Sequence, residues 1–310
     1  MKLLSTIKRN KIKSALLFTV FFNILFIHFY LPRIFIEPNN FVIQLLNGKP
    51  IKKSPTAYGL NYQKIMITTE DKLTLKGYKI YSNTEANKGT IILLHGIRSY
   101  KEHFLELSKT LADNGYNTVL IDLRGHGESG GKYCTFGFYE KQDISILIDE
   151  IIKDNQLSSN IGVWGQSLGG AIALQTMAID KRIQFGIVES TFSDLNQVSK
   201  EYLTRITGIK NQWIADYLMW RISAIANFKS NEVQPRESAK KITQPILLVH
   251  GTVDERINNY HAIINFENIK SDKKQLLQIK GANHINVWIV GGEKYLNRVL
   301  KFIGNANNEN

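Results

Sequence analysis

One cysteine, Cys134, stands in a chain of 310 residues, which excludes an internal disulfide and any cluster of cysteine ligands around a metal. Acidic residues are scarce beside basic ones, 27 against 39, and the formal net charge of +12 raises nucleic acid or an anionic membrane surface as partners. Nucleic acid is set aside, because the lysines are scattered and form no basic stripe interleaved with aromatics. Internal repeats and low-complexity tracts are absent as well. The length and the 43% apolar content suit one large core, not two full domains.

Long hydrophobic runs are missing except at the beginning. Lys2, Lys8, Arg9, Lys11 and Lys13 all precede the first acid, Glu37, and Ala15 to Leu31 then run without a formal charge. At ~1.5 Å per residue this run covers about 25 Å, and extension to Ile36 brings it to membrane thickness. The stretch that follows, FYLPRIFIEPNN, has no small-x-small cleavage site, so an uncleaved anchor over 1–36 is favoured over a signal peptide. The positive-inside tendency leaves the N-terminus cytoplasmic and the remainder extracytoplasmic. A buried core helix fits less well, since a helix apolar on every face rarely opens a globular chain beside five cations. Pro38, Pro50 and Pro55 mark 37–60 as a linker.

From Tyr62 onward, β-rich apolar runs alternate with helical patterns, the signature of an α/β fold with a mostly parallel sheet flanked by helices. Runs at 62–69 and 73–81 read as an antiparallel hairpin at one edge. Buried strands are expected at 90–95, 118–123, 161–165, 185–190, 246–251 and 275–280, with helices near 101–114, 138–154, 168–180, 257–269 and 293–304. A simple crossover needs only about a dozen residues, so the long stretch at about 192–242 reads as a helical cap within a domain over 61–305, its aromatics packing the cap.

Gly165-Gln166-Ser167-Leu168-Gly169 matches G-x-S-x-G between an apolar strand and a small-residue helix, the context of a nucleophile elbow. A serine hydroxyl needs a base, and the base needs an orienting acid. Asp254 follows one expected strand and His284 the next, giving the chain order serine, acid, histidine. Glu189 and Asp194 remain alternative acids. His95 and His250, in His-Gly turns, suit structural hydrogen bonding; His126 is placed where it could line the site; His103 and His261 read as surface or packing residues; His28 lies in the anchor. Asp122 and Asp143 read as loop and helix-entry carboxylates. The backbone N–H groups of Leu168 and Ile97 are the expected oxyanion donors, Arg98 being a weaker choice.

Taken together, LLHGIRS (93–99), DLRGHGES (122–129), GQSLGG (165–170), HGTVDERI (250–257) and GANHIN (281–286) resemble the α/β-hydrolase superfamily, and within it the serine-aminopeptidase-like (S33) and Bem46-like group. The resemblance covers about 60–305. It implies an eight-stranded fold, a triad of Ser167, His284 and Asp254, and an esterase, lipase or peptidase that uses no metal or cofactor. The turn at 95–99 lacks the HGGG of many lipases, and Gln166 stands where His or Tyr is frequent. The expected reaction is ester or thioester hydrolysis of a small-molecule or lipid acyl substrate. Peptide or amide cleavage and a catalytically silent membrane-tethered module are the alternatives. Aspartate-nucleophile dehalogenation is disfavoured by the serine at 167.

Overall fold

A computed structural model describes residues 2–40, 45, 53–208 and 210–307, with no side-chain account for 2–10 or 307. Part of the expected linker, 41–44 and 46–52, lies outside the described residues. Eight strands form one sheet in the order β1-β2-β4-β3-β5-β6-β7-β8. Their ranges are β1 Tyr62–Thr68, β2 Thr74–Ile80, β3 Gly89–Leu94, β4 Tyr116–Ile121, β5 Ile161–Gln166, β6 Ile183–Glu189, β7 Ile246–Gly251 and β8 Lys274–Ile279.

The first two strands pair as an antiparallel hairpin, Tyr62 opposite Ile80 and Thr68 opposite Thr74, and β2 joins β4 antiparallel. All remaining pairs are parallel. Alternation in β1 (Ile65 and Ile67 in, Lys64 and Met66 out) fits an edge with one wet face. By contrast β3, β4 and β7 are buried along their whole length because helices cover both faces. Side chains such as Ile91, Leu93, Val119 and Leu247 are fully removed from water, each stabilising the fold by about 1.5–3 kcal/mol. β8, with QLLQ at its centre, is the half-exposed far edge.

The helices between strands are α3 Leu105–Asp113, α4 Glu140–Ile152, α5 Leu168–Ile179 and α9 Tyr260–Asn268, and the chain closes with α10 Val287–Asn307. The last begins six residues earlier than its sequence pattern suggests, and it breaks at Gly292, whose φ of 52° no helix accommodates. The stretch expected to form a cap holds α6 Leu195–Thr207, α7 Gln212–Ala226 and the short α8 Pro235–Ala239. Asp194 caps α6 by accepting the Gln197 N–H, and Asn211 caps α7 by accepting those of Trp213 and Ile214.

At the N-terminus, α1 Lys2–Leu25 runs through a π turn, Phe26–Tyr30, into α2 Leu31–Ile36. Lys11–Ile36 is long and apolar enough to cross a membrane, with a mean hydropathy of 1.9 in its most apolar stretch. The apolar run does not all share one fate. Leu16, Phe18 and Phe22 are exposed, whereas Ile36 is fully buried among Phe192, Met219 and Ile222, and its carbonyl accepts the Cys134 N–H at 2.8 Å.

Candidate active site

β3 and β5 are adjacent and parallel, but the chain leaves β3 toward β4 on one side and reaches β5 on the other. Loops leaving such a switch point diverge and open a crevice beyond the strand ends. Ser167 sits there, between β5 and α5, with φ 55° and ψ −113°. A positive φ on a non-glycine residue costs about 1–3 kcal/mol and turns the chain sharply enough to project the hydroxyl. The turn is possible because a Cβ on Gly165 would lie 2.1 Å from the Gly169 carbonyl oxygen, and one on Gly169 would lie 2.0 Å from that of Leu94. Only glycine lets these backbones approach so closely. Ser167 N–H donates to Glu189 O at 2.8 Å, and Thr191 Oγ1 donates to Ser167 O at 2.7 Å, which pins the turn to β6 and the loop after it.

The structure brings the three residues singled out by chain order to this point. His284 Nε2 lies 3.0 Å from Ser167 Oγ, and His284 Nδ1 lies 2.8 Å from Asp254 Oδ2. With Asp254 accepting at Nδ1–H, Nε2 is the acceptor for the serine proton. Asp254 Oδ1 in turn accepts the N–H groups of Arg256 and Ile257, both at 2.9 Å. Burial raises the Asp254 pKa, but hydrogen bonds from His250, His284 and the Ile257 backbone outweigh it and hold the carboxyl well below the usual range. His284 stands between two asparagines that brace its loop. Asn283 Oδ1 accepts the N–H groups of Ile285 and Asn286, and Asn286 Oδ1 accepts that of Asn283. The alternative acids go elsewhere: Asp194 to the α6 cap, Glu189 to the indoles of Trp164 and Trp288 and the Tyr295 hydroxyl.

The remaining histidines divide. His95 is buried; its Nε2 accepts the Leu123 N–H at 3.1 Å and its Nδ1–H faces the Gly96 carbonyl at 2.8 Å, so it braces the turn beside Ser167, and burial pushes its pKa down. His250 does similar work through Ile257 O at 2.8 Å. His126, placed by sequence where it could line the site, is instead buried with Nδ1 on Arg124 O and is absent from the cavity walls. His103 is exposed, as the sequence suggests, and the 3-10 turn Lys101–Phe104 also sets it in the wall of a recess shared with Gln166, Ser167 and His284. That turn is held because Asp122, fully buried, accepts from both the Lys101 N–H at 2.8 Å and its Nζ at 2.7 Å. Asp143 lies in the first turn of α4 and pairs with Arg124 at 2.7 Å.

Ser167 and His284 lie where two hollows meet. One, of about 160 Å³, is walled mainly by apolar side chains from the core and the cap, Leu168, Phe192, Leu195, Val198, Met219 and Ile222 among them. Ile97 and Leu168 both line it, and a Cβ on Gly96 would come within 3.5 Å of Ser167 Cβ. The other, of about 170 Å³, holds Ser99, His103, Gln166 and Arg256. Phe35 also walls the apolar cavity, a contribution the sequence did not disclose, since it lies in the same hydrophobic run as the exposed residues of α1. Arg98, at φ 61°, donates from Nη2 to Ile34 O at 2.8 Å and so ties that segment to the turn after β3.

Residues 85–234 match the family described as serine aminopeptidase, S33. The uncharacterized protein YqkD of Bacillus subtilis is 26% identical over 82% of this chain and 78% of its own length. Protein bem46 of Schizosaccharomyces pombe is 25% identical over 81% of this chain and 79% of its own. Among solved structures, the Pyrococcus furiosus esterase Pf2001 superimposes with a TM-score of 0.70 at 25% identity, covering 83% of this chain and 96% of that one. With an eight-stranded sheet of this order and these relatives, the chain has the α/β-hydrolase fold and is similar to the serine aminopeptidase S33 family and to Bem46-like proteins.

Proposed function

We propose that this hydrolase cleaves carboxylic esters or thioesters through an acyl-enzyme formed on Ser167. The observation that carries the reading is the continuous chain of contacts from Ser167 Oγ to His284 at 3.0 Å and from His284 to Asp254 at 2.8 Å. His284 takes the hydroxyl proton as Ser167 Oγ attacks the acyl carbon. The developing oxyanion is received by the N–H groups of Leu168, at the first turn of α5, and Ile97. His284 then returns the proton to the leaving oxygen or sulfur as that bond breaks. A water, deprotonated by the same imidazole, releases the acid and restores Ser167. Asp254 holds the ring in the productive tautomer and balances the imidazolium.

The two hollows suit such a substrate, an acyl chain on the apolar side and a polar leaving group against His103, Ser99 and Gln166. The esterase among the solved relatives supports the same class. The S33 match favours a second reading, removal of an N-terminal residue from a peptide. Against it, the apolar cavity has no carboxylate among its described lining residues, and its charged side chains are Arg98 and Arg256, which repel an α-ammonium group. We further read the N-terminal helix as a single-pass anchor, with the basic end cytoplasmic and the catalytic domain on the far side.

A fluorophosphonate probe is expected to label wild-type protein at Ser167, found by peptide mapping, and p-nitrophenyl butyrate to be turned over faster than alanyl p-nitroanilide. Folded protein that resists the probe ends the nucleophile assignment. A preference for the anilide ends the ester assignment alone.

A further inference from the structure

From Leu16 to Phe29 the large apolar side chains of α1 and the π turn stand mostly exposed, and at ~1.5 Å per residue the stretch 11–30 covers about 30 Å, one hydrocarbon core. From Leu31 the same run is packed into the enzyme: Leu31 against Leu203 and Leu218, Phe35 in the cavity wall, Ile36 fully buried. The change of surroundings falls where α7 meets the chain. His28 Nδ1 is hydrogen-bonded with the Tyr217 hydroxyl, and Arg221 Nε donates to the His28 carbonyl at 3.2 Å. One end of the span is thereby fixed at the level of α7.

That helix has two opposed faces. Leu218, Met219 and Ile222 point inward, the last two into the cavity beside Ser167. Trp213, Tyr217 and Trp220 follow one another at steps of four and three, one stripe on the other side, and the tryptophans are 85% and 58% exposed. Exposed Arg205 and Ile206 at the end of α6, and Lys210 in the turn after it, precede this stripe in the chain. Two open tryptophans on one helix face form a patch that needs a partner. Amphipathic rings flanked by cations, at the end of an apolar span, have the composition of the bilayer–water interface.

The geometry points to a cap docked on the bilayer: the Trp213–Tyr217–Trp220 stripe lies in the interfacial layer of the membrane that α1 crosses, and the cavity takes the acyl chain of a lipid ester still resident in that leaflet. Its substrate half rests on the ester-hydrolase reading of Ser167; its docking half does not. Phe35 of α2 and Met219 and Ile222 of α7 wall the same cavity, so its apolar lining is built in part from the two elements that adjoin the end of the span.

The test uses the full chain in vesicles of palmitoyl-oleoyl phosphatidylcholine and phosphatidylglycerol. The double variant Trp213→Ser, Trp220→Ser is expected to hydrolyse vesicle-partitioned 4-methylumbelliferyl oleate about tenfold more slowly than wild type while keeping its rate on water-soluble 4-methylumbelliferyl acetate. Dibrominated phosphatidylcholine is expected to quench wild-type tryptophan emission. The variant, left with Trp164 and Trp288 of the 4 tryptophans, should lose most of that quenching. Unquenched wild-type emission overturns the docking, and this arm needs no variant. Quenching with an unchanged rate on the oleate overturns lateral substrate entry. A wild type that is quenched but neither labelled by fluorophosphonate nor active on the acetate refutes the hydrolase reading and leaves the docking standing.

Discussion

Ser167→Ala and His284→Ala are each expected to lower kcat on p-nitrophenyl butyrate by about 10⁶-fold, and Asp254→Asn by about 10⁴-fold, with KM little altered. The losses fall on kcat because the proton transfer and the covalent bond exist only beyond the ground state, while the cavity that binds the acyl group stays intact. The smaller cost at 254 has a structural source. Asp254 is an orienting group, and asparagine keeps one oxygen for the N–H groups of Arg256 and Ile257, which the carboxylate now accepts at 2.9 Å. What it gives up is the acceptor for His284 Nδ1–H, so the imidazole favours the tautomer that cannot receive the serine proton. The double variant Ser167→Ala, His284→Ala should be no slower than either single one, because the residues act as a unit. Stopped assays with purified variants, checked for folding by circular dichroism, decide this. Activity of Ser167→Ala within about a hundredfold of wild type would mean that another group attacks.

That constellation was legible because each of its parts has a local cause. Buried parallel strands must be apolar on both faces, so TIILLH, TVLIDL and ILLVHG stood out, and side chains placed at the C-terminal ends of such strands converge whatever their separation in the chain. Elbow glycines carry a signature because the backbones on either side leave no room for a Cβ. Legibility failed where tertiary contact alone decides. Leu16 and Ile36 are both apolar residues of one run, yet one is 64% exposed and the other fully buried, and hydrophobicity does not distinguish lipid from a protein core. His103 reaches the recess because a buried ion pair between Lys101 and Asp122 holds its turn, a contact across 21 residues with no periodic trace. His126, four residues beyond that aspartate, is turned inward by its bond to Arg124 O.

The second large effect is expected at Glu189, whose carboxylate is buried with no cation beside it among the described residues. Three neutral donors surround it: Trp164 Nε1 at 2.7 Å, Trp288 Nε1 at 3.0 Å and the Tyr295 hydroxyl. Burial pushes its pKa up to about 7, against the lowering effect of these three bonds. In the unfolded chain the same carboxyl ionises near 4.5, so between the two values the native state holds a proton that the unfolded state has released. Stability therefore falls as pH rises from about 4.5 to about 7, by roughly 3 kcal/mol, and levels off above. Glu189→Gln stays neutral throughout. It should match wild type near pH 4.5 and exceed it above pH 7 by up to that amount. Glu189→Ala should be weaker at every pH, because Trp164 and Tyr295, both fully buried, lose their acceptor at about 1–3 kcal/mol each, and a cavity opens besides. Thermal unfolding of the three proteins from pH 4.5 to 8 reads both effects, and subtracting the Gln variant cancels Asp143 and Asp254, which titrate in all of them. A difference curve flat in pH would show that Glu189 is already charged at pH 5 and that its three donors alone satisfy it.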